Sequence, residues 1–459
     1  MADAPPIVGL RARIVNAGLW TVTGHVVETL IRLGTSLVMT RLLVPDDFGL
    51  MALALTIPTS LAMLSDLGIH SNVIRKSGRL GVDFLRTAWT LQVARGILLF
   101  FVVLAFAGLL CLPQVRQALP SGSLLLHPNL PSLLAVMGLI PALAGPVSVN
   151  FYVQERNIHF RPLVLRGIIS KLLPVPVMVI WALLYPSVWS LVAGGLLGQA
   201  LITLSSHIMI PGPSMKFRWD WHHVRDLIGD GKWIALATAG TFVITQGDRL
   251  ILAALFSATQ MGFYAIAWAL ADVAKSFLQR LHGTITLPVL SELFLSRPES
   301  AVQAYYRYRR PIDIMAFTGT GFIWMAGPEI IHFLYDDRYA EAGWILRVLS
   351  LSLASIPFSM INVAFIANDE WRNSSVYSLI LTVSFFAATY VGYTLYGSTG
   401  VIWAIALYNW PATLILLARA YRRGWIDPLR EIAMLPFALV GLALGFAGKW
   451  ILQEIGVML

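Results

Sequence analysis

Long apolar runs, each about 20 residues or more and set close together along the whole chain, constrain this sequence more than any other feature. Broken at charge and turn clusters, they predict helices at 15–40, 48–69, 88–112, 131–153, 163–185, 187–210, 233–256, 263–290, 311–335, 344–367, 374–396, 398–420 and 433–453. Only 12% of the 459 residues are charged, against roughly 25% in a soluble globular chain. The expected fold is therefore an all-α polytopic membrane protein of about 13 transmembrane helices, within a range of 12 to 14. No hydrophilic block is long enough for a soluble catalytic domain. Cys111 is the one cysteine, which excludes an internal disulfide and a multi-cysteine metal site. A cleavable signal peptide is not expected, since the first apolar run contains Glu28 and Arg32 and is too long for a signal core.

Orientation follows from the connections. Twenty-two Lys and Arg fall in alternate loops, among them Arg75, Lys76, Arg79 and Arg86, then Arg156, Arg161 and Arg166, then Lys216, Arg218, Arg225 and Lys232, then Arg297, Arg307, Arg309 and Arg310. The opposite loops hold only Arg41, Arg116 and Arg338. The first set is expected on the cytoplasmic side, together with the N-terminus. The net charge of +9 is thus a topology signal, and nucleic acid is not an expected partner.

A shift of 213 positions pairs Gly18 and Trp20 with Gly231 and Trp233, and Gly49, Ala52 and Ala54 with Gly262, Ala265 and Ala267. Six crossings separate the copies, so the halves are expected to be parallel repeats. The predicted organisation is a six-helix lobe over 1–210, a cytoplasmic linker over 211–232, a second six-helix lobe over 233–420, and a loop plus one further helix over 421–459. The two lobes are expected around a central cavity, with the last helix as an appendage.

The stretch Thr40 to Leu50, with Leu64-Ser65-Asp66-Leu67-Gly68-Ile69, resembles the first helical hairpin of bacterial Wzx-type polysaccharide flippases of the multidrug/oligosaccharidyl-lipid/polysaccharide exporter superfamily. Gly247-Asp248-Arg249-Leu250-Ile251-Leu252 before Met261 to Ala267, and Leu334 to Tyr339 before Ala342, are similar to the second half of such proteins. The odd helix count departs from the usual twelve or fourteen. The resemblance implies translocation of undecaprenyl-diphosphate-linked oligosaccharide across the bacterial inner membrane for lipopolysaccharide or exopolysaccharide biosynthesis. It further implies membrane lipid as surroundings, and a polysaccharide polymerase and a chain-length regulator as partners. No cofactor is expected beyond an H+ or Na+ gradient. A peptidoglycan lipid precursor or small drugs are the alternative cargoes on the same architecture, and a membrane glycosyltransferase or polymerase is the enzymatic alternative. No nucleophile constellation, metal-ligand cluster or phosphate-binding loop supports catalysis, so an enzyme is not expected.

A charge at mid-membrane costs on the order of 3 kcal/mol, and such charges face protein or water. Arg32, Arg95, Lys171, Arg249, Lys275, Arg280, Arg347 and Lys449 fall inside predicted helices. Arg347 and Lys449 lie near helix ends, where long side chains snorkel. The others, Arg32, Arg249, Lys275, Arg280, Lys171 and Arg95, are the candidates to receive a diphosphate, Arg by a bidentate fork and Lys as a point charge. His25, Glu28 and Arg32 form one helical stripe, either an internal ion pair or a cavity lining. Asp272, Lys275, Gln279 and His282 form another, and Asp248 lies beside Arg249. Glu28, Asp248, Asp272 and His25 are the candidates for ion coupling. Tyr264, Trp268 and Trp403 lie near these polar faces as candidates to stack on sugar rings.

Overall fold

The structure, a computed structural model, describes residues 7–76, 78, 80–229, 231–296 and 298–454. Arg79 and Arg297 lie outside the described residues, as do the side chains of Lys232 and His282. Helix is the only regular secondary structure among the described residues besides two short 3-10 turns. Nine helical segments among them are long and apolar enough to cross a membrane, so the chain is an all-α polytopic membrane protein.

The chain divides into two compact units at Phe242/Val243. The first holds α1 (Ile7–Leu42), α2 (Pro45–Leu64), α3 (Ile69–Arg75), α4 (Val82–Leu109), α5 (Pro113–Ala118), α6 (Leu130–Met137), α7 (Leu139–Ala144), α8 (Asn150–Arg156), α9 (Arg161–Leu172), α10 (Pro174–Leu184), α11 (Val188–Ile208) and α12 (Trp221–Gly229). The division falls within α13 (Gly231–Leu255). The second unit continues with α14 (Ala258–Ser296), α15 (Pro298–Leu334), α16 (Ala342–Ala354), α17 (Ile356–Ser359), α18 (Ile361–Ala367), α19 (Trp371–Leu407), α20 (Asn409–Arg422), α21 (Pro428–Ile432) and α22 (Phe437–Glu454).

Local chemistry explains where these helices depart from the sequence prediction. α2 starts three residues early because Pro45 suits the first helical turn and Asp46 and Asp47 suit the positive end of the helix. It stops at Leu64 because Gly68 adopts a left-handed φ of 67° while its N–H bonds Asp66. The predicted helix over 131–153 is broken into α6, α7 and α8. Gly96 of α4 and Gly145 let these backbones nearly touch: a Cβ on Gly96 would sit 2.4 Å from the Pro141 carbonyl oxygen. The carbonyls freed by the break are taken by α4 side chains, Trp89 Nε1 bonding Pro146 O at 2.9 Å and Gln92 Nε2 bonding Gly145 O at 2.8 Å.

In the second unit α15 begins thirteen residues before the predicted start, carrying Arg307, Arg309 and Arg310 into the helix. α19 reverses at Tyr396 and Gly397, the latter at φ 59°, and this reversal separates the two predicted helices 374–396 and 398–420. Gly392 and Gly400 then meet backbone to backbone across the reversal. The last helix, α22, does not hang free. Gly441 and Gly445 pack on Thr318, Phe322 and Met325 of α15, and Lys449 bonds the buried Glu329 at 2.7 Å. Lys449 is therefore a paired membrane charge, where snorkelling to the interface was expected. Pairing removes the cost of leaving Glu329 alone in low dielectric.

Candidate functional site

Besides a pocket of about 310 Å³ at Arg75, Lys76 and Asp226 in the first unit, polar cavities among the described residues include one among the helices of each unit. The first, about 470 Å³, is lined by residues of α2, α3, α4, α7, α8 and α9, including Asp66, His70, Gln92, Arg95, Tyr152 and Arg166. Arg95, half-buried on α4, bonds Ser65 Oγ at 3.1 Å and the Ala62 carbonyl. A guanidinium at that place satisfies the open carbonyl end of α2 and complements its dipole. Arg166 is differently placed. Its guanidinium lies 4.2 Å over the ring of Phe151, while Nε and Nη1 are buried with no hydrogen-bond partner. Opposite, His70 Nε2 and Glu155 Oε2 are 2.7 Å apart, and the His70 ring rests edge-on against Tyr152 at 4.9 Å.

Arg166 was counted in sequence as a loop charge. The predicted helix over 163–185 already contained it, and Pro162 in the first turn of α9 fixes that helix start, so both signals for placing Arg166 inside the helix were available.

Glu28 and Lys171 are brought together as an ion pair, 2.5 Å apart, between α1 and α9. Gly167 makes this possible, since a Cβ there would lie 2.3 Å from Glu28 Oε1. His25 is half-buried and Arg32 exposed on α1. Neither lines the first cavity.

The second cavity, about 250 Å³, is lined by residues that include Thr245, Asp248, Asp272, Lys275, Gln279 and Tyr408. Thus three predicted residues, Asp248 from α13 and Asp272 and Lys275 from α14, line one cavity. Asp248 is buried and accepts a hydrogen bond from Tyr264, while its Oδ1 has no partner. Arg249 turns aside: it bonds Gln246 Oε1 at 3.1 Å and stacks 4.1 Å over Trp268. Tyr264 is fully buried beneath Asp248. Trp403 lies edge-on to Trp324 at 6.1 Å. Arg280 is exposed at the far end of the stripe and lines neither cavity.

A third polar group escaped the sequence reading altogether. Arg309, fully buried, bonds Asp313 Oδ1 at 2.9 Å, Glu431 Oε2 at 2.6 Å and the Tyr305 hydroxyl at 3.0 Å. Tyr306 donates to Glu431 Oε1 at 2.9 Å, and Phe358 lies under the guanidinium. The i,i+4 spacing of Arg309 and Asp313 was legible, but Pro311 reads as a helix breaker and hid it.

The family model described as polysaccharide biosynthesis protein matches residues 38–344. The chain is 22% identical over 76% of its length to the succinoglycan biosynthesis transport protein ExoT of Rhizobium meliloti (strain 1021), covering 67% of that protein. It is 20% identical over 96% of its length to the lipopolysaccharide biosynthesis protein WzxC of Escherichia coli (strain K12), covering 89% of it. Among solved structures, the lipid II flippase MurJ in an inward closed conformation superposes with a TM-score of 0.71 at 15% identity, covering 96% of both chains. An inward-facing multidrug resistance MATE family transporter of the MOP superfamily superposes with a TM-score of 0.65 at 16% identity, over 86% of this chain and 94% of that one. With the family model matching two thirds of its length, this chain belongs to the polysaccharide biosynthesis protein family.

Proposed function

We propose that this chain flips undecaprenyl-diphosphate-linked oligosaccharide across the bacterial inner membrane by alternating access, supplying lipopolysaccharide or exopolysaccharide biosynthesis without covalent chemistry of its own. The observation that carries the reading is Arg166, a guanidinium in a membrane cavity with two buried donor nitrogens, Nε and Nη1, unused. An unmade bond on a buried charged donor costs about 1–3 kcal/mol, and a diphosphate oxygen is the ligand that removes that cost. Arg95, committed to the end of α2, adds positive field to the same cavity. Membership of the family supports a polysaccharide cargo.

The second cavity supports a different role. Two carboxylates and one ammonium line it, which suits a proton or a small cation better than a phosphate. Asp248 is the favoured coupling group, with Lys275 and Asp272 setting its field; the gradient is H+ or Na+. The N-terminus is cytoplasmic in this reading, and a polymerase and chain-length regulator act on the product. Arg32, Arg249, Arg280 and the Glu28–Lys171 pair serve, in this reading, other stages of the transport cycle or helix packing.

The test is deletion of the gene and complementation with variants, reading lipid-linked oligosaccharide retained in the inner leaflet. Arg166→Gln is expected to retain it and Arg166→Lys to restore part of the export, since charge remains and the fork is lost. Normal export by Arg166→Gln in a membrane-inserted protein sinks the reading.

A further inference from the structure

The segment joining the two halves of the chain is fastened to the first unit along its length. Gln154 Nε2 bonds Pro211 O at 3.2 Å, Asn150 Nδ2 bonds Pro213 O at 3.1 Å, and Arg86 Nε bonds Ser214 O at 3.3 Å. The Arg218 N–H donates to Thr90 Oγ1 at 2.9 Å, and Asn72 Nδ2 bonds Leu227 O at 3.0 Å. Val224 and Leu227 of α12 are buried beneath it. Arg86 and Thr90 belong to the first turns of α4, itself long and apolar enough to cross a membrane. The strap therefore lies at the level where a membrane helix meets water.

What this moored strap turns outward is apolar. Phe217 is 73% exposed, Trp219 45%, Trp221 67% and Ile228 44%, with Trp219 and Trp221 edge to face at 5.3 Å. Exposed Lys216, Arg218 and Arg225 alternate with them. The neighbouring carboxylates are already engaged: Asp226 with Lys76 at 3.2 Å, Asp83 with Arg218 at 3.5 Å, and Asp220 with the backbone N–H of His222 at 2.9 Å. That leaves Lys216 and Arg225 as outward positive charge beside an aromatic row. Aromatic rings settle at the headgroup level of a bilayer, and basic side chains there attract acidic lipid.

We propose that residues 214–228 form an interfacial anchor that binds the headgroups of anionic phospholipid. Phe217, Trp219 and Trp221 enter the interface, and Lys216 and Arg225 meet the lipid phosphates. The anchor fixes the connection to the first unit at one membrane surface, independently of what the cavities carry.

The test uses the full chain with Cys111→Ser and Ile228→Cys, a nitroxide on the new thiol, in nanodiscs of phosphatidylcholine alone or with phosphatidylglycerol. Collision with lipid-dissolved oxygen against a water-soluble relaxant reports depth. The label is expected at headgroup depth with phosphatidylglycerol, and in water once Phe217, Trp219 and Trp221 are all changed to Ser. Because that triple change could disturb folding, Lys216→Gln and Arg225→Gln provide the second arm. Each is expected to weaken the preference for phosphatidylglycerol about fivefold without altering thermal unfolding in detergent. A water-like label on the unaltered strap in both lipids overturns the proposal, as does a depth insensitive to phosphatidylglycerol and to both charge variants. An immobilised label reached by neither relaxant assigns this face to a protein contact and also overturns it.

Discussion

Single side chains carry most of the chemistry, and they divide by whether their bonds are complete. Arg309 is nearly saturated, with Asp313, Glu431 and Tyr305 around it. Two buried carboxylates depend on that one cation, so Arg309→Met is expected to destabilise the second unit by about 3–5 kcal/mol, as removing one partner of a buried ion pair does. Thermal unfolding in detergent would register this; a variant as stable as the parent would show that the carboxylates relax to water. Glu370, in the short turn between α18 and α19, gives a pH prediction. Burial pushes its carboxyl up, but hydrogen bonds from Arg423, from Asn368 at 2.9 Å and from Asn373 at 2.6 Å outweigh that and hold it below the ordinary carboxylate range. A depressed carboxylate stabilises the fold above its unfolded value and loses that contribution as pH falls through its folded value. The parent is therefore expected to lose stability on acidification below the ordinary carboxylate range more than Glu370→Gln does, and equal acid slopes would refute the assignment.

At the scale of helices, glycine decides which elements can touch. Gly167 admits the Glu28 carboxylate between α1 and α9, and Gly441 admits the backbone of α15 against α22. A Cβ on Gly441 would stand 2.1 Å from the Thr318 carbonyl oxygen, a distance that backbone cannot give without moving. Gly441→Val is expected to part α22 from α15, strand Glu329 without Lys449, and cost at least the 1–3 kcal/mol or so typical of overpacking. Proteolysis of the C-terminal segment in detergent should accelerate; unchanged cleavage would mean that the pair holds α22 by itself. Close approach of small residues is the usual means by which membrane helices associate, because lipid removes the hydrophobic drive between them.

For the whole molecule the expected outcome concerns sidedness. Reporter fusions at Arg75, Arg218, Arg307 and Arg422 should read cytoplasmic, and those at Asp46, Asn129 and Asp337 periplasmic. A periplasmic reading at Arg218 would overturn both the orientation and the parallel repeat. The sequence alone determined that this chain is a bundle of membrane helices, because hydropathy over some twenty residues is a local property that no tertiary contact can reverse. It also located the polar stripe of Asp272, Lys275 and Gln279, since helical spacing places such residues on one face without any partner. Tertiary structure decided which charges are free to act. Arg95 read as an intramembrane candidate for the diphosphate and Arg166 as a loop charge, yet the first is spent on the carbonyls of α2 and the second opens on a cavity. Arg309 read as a loop charge and became the centre of a buried network, and Lys449 read as an interfacial residue and became half of an ion pair. In each case the state of a charge depends on what arrives from another helix far away in the chain, and a linear pattern holds no record of that distance.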